Sequence, residues 1–119
     1  MFLISSKQKY LESLIEANKT LTKTTELILN RAKTDKAEIG SASYGYMEII
    51  GHILYGYMWA KILATVLNSD SGKYAEDYLD GLKQTARFYF EKILPRYKSL
   101  AEEVASGSES LMVMNAEQF

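Results

Sequence analysis

The sequence predicts an all-α fold, an up-down-up bundle of three long helices closed by a short C-terminal turn of helix, four-helix-bundle-like in its packing. Three observations predict it. Apolar residues recur at steps of three and four over three long stretches, which keeps one side of a helix toward a partner. No useful length alternates with period two, so no sheet is expected. Two short polar breaks separate the stretches, which sets successive helices antiparallel. With 119 residues, 47% hydrophobic and 24% charged, the chain has the length and balance of one globular domain.

The first helix is predicted over residues 6–33. Its seam is Leu11, Leu14, Asn18, Leu21, Thr25, Ile28 and Ala32, in alternating steps of four and three. The opposite stripe, Lys9, Glu12, Glu16, Lys19, Lys23 and Glu26, reads as a solvated helix face. Ser5 followed by Gln8 has the form of a capping box. Residues 34–41 read as a loop with room for one helical turn, and Ser41 as the N-cap of the second helix.

The second helix, residues 42–67, is apolar on two sides. Ala42, Tyr46, Ile49, Ile53, Ala60, Ala64 and Leu67 form one face, and Met47, Gly51, Leu54, Met58 and Ile62 another. That pattern predicts a helix packed between two neighbours, with Lys61 extending its stem outward. Gly51 and Gly56 are expected to permit close helix approach. The cluster Asn68, Ser69, Asp70, Ser71 and Gly72 is a turn. The third helix is predicted over residues 73–106, with a seam of Ala75, Tyr78, Leu82, Ala86, Tyr89, Ile93, Tyr97, Leu100 and Val104. Pro95 removes a donor and crowds the preceding turn, so a kink is expected there. Gly107 is the expected stop, and Ser108 the cap of a last short turn.

Composition excludes several functions. Fourteen basic and fifteen acidic residues give a net charge of −1, which leaves no footprint for nucleic acid. No cysteine is present, which removes disulfides, thiolate metal sites and cysteine nucleophiles and fits a cytoplasmic location. The N-terminus lacks the pattern of a secretory signal. Residues 49–67 are long enough to cross a bilayer, but His52 and Lys61 within them make a buried central helix the better reading, so no transmembrane segment is expected. Glu48 precedes His52 by four residues rather than three, and there is no second histidine, so a di-iron carboxylate site is rejected. A lone helix histidine reads as packing or surface. No nucleophile elbow or phosphate loop is present, and no catalytic, cofactor-binding or metal residue is assigned.

One feature calls for a partner. Phe88, Tyr89 and Phe90 stand at successive 100° steps, and a regular helix cannot bury all three against one neighbour. Glu48, His52, Tyr55 and Trp59 form a third stripe on the second helix. Either these rings cover loop ends or lie flat on the bundle, or Glu48, His52, Tyr55, Trp59, Phe88 and Phe90 form a docking surface for another protein or domain.

The third-helix run Thr85-Ala86-Arg87-Phe88-Tyr89-Phe90-Glu91-Lys92-Ile93-Leu94-Pro95 is followed by Ala105-Ser106-Gly107-Ser108-Glu109-Ser110-Leu111-Met112. The second helix carries Gly51-His52-Ile53-Leu54-Tyr55-Gly56-Tyr57-Met58-Trp59-Ala60-Lys61. Together they resemble the extra C-terminal helical domain of long bacterial acyl-CoA dehydrogenases, most strongly over residues 47–114. The resemblance implies a parent enzyme that uses FAD to oxidise the α,β bond of an acyl-CoA thioester in fatty acid metabolism. In that family a Glu base takes the α-proton while hydride leaves the β-carbon for the flavin. Those residues, the FAD site and most of the acyl-CoA site lie in the preceding domains, so no catalytic residue carries over and the chain alone is not an enzyme. It reads as the excised C-terminal domain of a larger enzyme, packing against the catalytic domains, assisting assembly, and free to form a homodimer through an exposed face. The alternative is a free-standing helical interaction or dimerisation module. A third reading is a small-ligand binder with a pocket lined by Met47, Met58 and tyrosines.

Overall fold

The computed structural model describes residues 2–69, 72 and 74–119, with side chains from residue 6 onward. Among the described residues it is all-α. Helix α1 spans Phe2–Ala32 and α2 spans Ala37–Leu67. A third arm follows as α3 (Glu76–Phe88), a π turn (Tyr89–Ile93), a 3-10 turn (Leu94–Arg96) and α4 (Tyr97–Ala105). A short α5 (Glu109–Met112) and a 3-10 turn (Ala116–Gln118) complete the chain.

The predicted bundle is present. The position of Gly56 faces Leu14 of α1, and Thr25 of α1 meets Tyr46 of α2 through their hydroxyls at 2.6 Å, so α1 and α2 are antiparallel. Gly45 lies against Val104 and Gly56 against Leu94, so the third arm runs back along α2. A Cβ on Gly56 would stand 2.9 Å from Leu14 Cδ1, and one on Gly45 2.8 Å from Val104 Cγ2. The bare glycine backbones therefore set how closely the helices approach. Gly51 differs from the expectation: nothing lies within 4 Å of where its Cβ would be.

Several boundaries move. Ser5 lies within α1 rather than capping it, and its side chain falls outside the described residues. The loop after α1 is five residues shorter at its far end than the composition suggests, because Asp35 Oδ1 accepts the Ala37 N–H at 2.9 Å and starts α2 early. Ser41 is therefore no cap; it sits inside α2 and its hydroxyl donates to the Gly107 carbonyl at 3.2 Å. In the turn cluster, Asp70 and Ser71 lie outside the described residues, as does Lys73, the expected start of the third helix. The helix begins at Glu76, with Glu76 and Asp77 in its first turn where the helix dipole favours negative charge.

The seam of α1 is rotated from its predicted position. The inward residues are Tyr10, Leu14, Ala17, Leu21, Thr24 and Ile28, with Tyr10, Ala17 and Thr24 fully buried. Leu11 and Asn18 face solvent instead. Ala17 is small, and a close helix contact prefers it over the bulkier Asn18 one step on.

Pro95 distorts the third arm without ending it. The backbone stays right-handed helical at Phe88, Tyr89, Ile93, Leu94, Arg96 and Tyr97. The π turn before Pro95 absorbs the missing N–H and the ring's conflict with the turn below it. A π turn is wider than an α turn, so two consecutive residues face inward, Tyr89 and Phe90. Leu94, one step outside the predicted seam, is buried for the same reason. Tyr78, which the pattern placed inward, is exposed.

The C-terminal end is clasped. Gly107 has φ +85°, a left-handed conformation that glycine adopts without strain, and it turns the chain after α4. Ser108 is buried there, and both its N–H and its hydroxyl donate to Glu38 Oε1, at 3.2 and 2.9 Å.

The Tyr89 hydroxyl donates to the His52 carbonyl at 2.5 Å. Burial, with a smaller push from Tyr55, raises its phenol to about 12 from the ordinary 10.0. The folded state thus favours the protonated phenol, and that contribution is complete below pH 10 and lost as pH rises through about 12. Burial also raises Tyr10 and Tyr97. The melting midpoint is expected to fall over this window, and Tyr89→Phe to flatten the fall. Circular-dichroism melts across that range check it, and a slope identical in the variant would assign the effect elsewhere.

Candidate docking surface

Helix α2 meets α1 on one side and the third arm on the next. Ala42, Gly45, Ile49, Ile53, Gly56, Ala60, Leu63 and Val66 are buried between them. The opposite side carries Tyr44, Met47, Gly51, Leu54, Tyr55 and Met58. Tyr44 is 72% exposed and Met47 70%, and Leu54, Tyr55 and Met58 are also more than half exposed. The second apolar face of α2 is thus real, but the neighbour expected on it is not part of this chain's described fold. Lys61 is exposed at its edge, its Nζ 5.4 Å from the centre of the Tyr57 ring. Of the described helices, α2 is the one long and apolar enough to cross a membrane by length and composition.

The whole molecule is correspondingly rich in surface. It measures 66 × 29 × 20 Å. A monomeric protein of its mass exposes about 6,500 Å² by the usual scaling; this chain exposes 8627 Å².

The six residues expected to form a docking surface divide. Glu48, His52, Tyr55 and Trp59 share one side of α2, next to the outward band. Tyr55 is exposed, Glu48 and His52 are half-buried, and Trp59 is half-buried against the core. His52 Nε2 stands 3.9 Å from Glu48 Oε2. Phe88 is 57% exposed. Phe90 requires correction: it is 4% exposed and stacks on Tyr10, centroids 4.6 Å apart and planes within 2°. The π turn aims it at α1, while Phe88, two residues back, stays exposed. Sequence reasoning missed Tyr44 as a surface residue, although its spacing to Met47, Gly51 and Met58 carried the signal.

The described residues gather no metal-ligand cluster, and the groove between α1 and α2 is apolar. No three His, Asp or Glu side chains gather among them. The apolar groove between α1 and α2 is lined by Ile28, Leu29, Ile39 and Met47, and its Thr25 and Tyr46 hydroxyls are engaged with each other. An isoalloxazine and its pyrophosphate need several hydrogen-bond donors that this groove lacks. Met58 lies outside that groove, so the pocket expected from Met47 and Met58 does not form there.

The family described as acetyl-CoA dehydrogenase C-terminal like matches residues 4–115 of this fold. The chain belongs to that family. No curated protein and no solved structure matches it. As an acetyl-CoA dehydrogenase C-terminal-like domain, its bundle, π turn and Gly107–Ser108 clasp all fall inside the matched segment, as does the outward band of α2.

Proposed function

We propose that this domain is an auxiliary part of an FAD-dependent acyl-CoA dehydrogenase, docking on the catalytic domains and assisting assembly while contributing no catalytic residue. The observation that supports it is the outward band of α2, where Tyr44, Met47, Tyr55 and Met58 surround the open Gly51 backbone. An apolar strip along a 31-residue helix forfeits burial of roughly 1.5–3 kcal/mol for each large side chain left in water. A partner surface recovers it, and the flat backbone at Gly51 lets that partner approach closely. FAD, and the base that removes the α-proton, belong to the catalytic domains in this reading.

The test is titration of the purified chain into flavin-loaded catalytic domains of the parent dehydrogenase, followed by analytical gel filtration. Co-elution is expected. Tyr55→Asp with Met58→Asp should weaken it by about tenfold or more, since central apolar anchors dominate such interfaces. The melting midpoint of the isolated domain should hold within a few degrees, because both side chains are exposed. Absence of co-elution, or capture by lipid vesicles in place of the flavoprotein, would sink the reading.

A further inference from the structure

The flank of α1 that faces away from the third arm carries Leu11, Ile15 and Leu29, all exposed. Across the groove beside them stand Ile39 and Tyr57 of α2, also exposed. Along the rim run Glu12, Lys19, Glu26 and Lys33, seven residues apart and alternating in sign. All four are exposed, and Lys19 lines the groove beside Ile15 and Leu54. A seven-residue step returns to nearly the same side of a helix, so these charges form one row beside the apolar positions, as the flanking charges of a coiled coil do.

We infer that this α1–α2 face is the seat of a second copy of the chain, laid antiparallel about a two-fold axis near Thr22 and Lys23. That placement sets Glu12 against Lys33 of the other copy and Lys19 against its Glu26, each pairing occurring twice. A parallel placement in register sets like charges together and is disfavoured. The row therefore selects both the partner and its direction. Lys19 now holds Glu16 across 3.4 Å on the open surface, an exposed pair weak enough to exchange. The two-fold also lays the Ile15–Tyr57 end of each groove on the Leu29–Ile39 end of the other. Twenty-three residues of α1 and its turn, at 1.5 Å each, with two helix widths, give about 700 Å² per copy, close to the roughly 800 Å² per partner of a standard interface. The surplus of exposed area is large enough for this seam and the α2 band together.

The experiment is light scattering of the purified chain from micromolar to millimolar concentration, with charge-reversed variants. A reversible dimer is expected. Lys19→Glu alone or Glu26→Lys alone should raise its dissociation constant about tenfold, because each creates two like-charge contacts. The double variant should return to the parent value, since the exchanged charges pair again. All four positions are solvent-facing, so the melting midpoints should agree. A chain monomeric at millimolar concentration overturns the inference, and so does a double variant no tighter than the singles. Tyr55→Asp with Met58→Asp should leave the dimer intact, which separates this seam from the Tyr55–Met58 part of the surface offered to the catalytic domains; Met47 and Leu54 border both.

Discussion

Replacing Phe90 with alanine is expected to destabilise the isolated domain by about 3–5 kcal/mol. The same change at Phe88 should cost no more than about 0.5 kcal/mol. The two residues have the same chemistry and are separated by one position, but the π turn sends them to different environments. Phe90 lies flat on Tyr10 and meets Tyr89 edge-on, with centroids 6.0 Å apart. Its removal empties a cavity lined by two rings and loses the stacking as well. Phe88 is more than half in water. Thermal melts of both variants decide the matter: a fall of about 10–20 °C is expected for the first, and almost none for the second. Equal losses would show that the third arm does not take the π geometry.

Leu94→Ala is the second large effect, about 2–5 kcal/mol. Leu94 is 1% exposed, and a Cβ placed on Gly56 would stand 3.4 Å from its Cδ1. It occupies one of the close approaches between α2 and the third arm. Pro95 follows directly and holds the local turn, which limits how far the backbone can collapse into the space left behind. Leu54→Ala is the natural control, because Leu54 points outward from α2 and should change stability by no more than about 0.5 kcal/mol. Chemical denaturation would show the two leucines separated by midpoint. A small loss at Leu94 would mean that the contact with Gly56 is looser than the geometry states.

Much of this is legible in the sequence alone. The two polar breaks and the three- and four-residue steps were enough for three antiparallel arms. Glycine at 56 and the stop at 107 followed from backbone freedom alone. The inward face of α2 was read at Ala42, Ile49, Ile53 and Ala60, all of which are buried. The candidate surface was half legible. Met47, Leu54 and Met58 declared themselves as an apolar row, but a row does not say whether its neighbour belongs to the same chain. Tyr55 and Phe88 are on the surface as expected, whereas Phe90 is not.

Periodicity, charge and residue type determined the class of fold, the order of its helices and the surplus of apolar surface, because each is a property of local spacing along a helix. Tertiary structure alone decided which row of α1 turns inward, how the arm passes Pro95, and therefore which aromatic is core. Those depend on the fit between two helices, where Ala17 admits a closer neighbour than Leu11 would and one wide turn shifts the register of every later side chain. A pattern fixes which residues are greasy; only the packed partner fixes which of them stay dry.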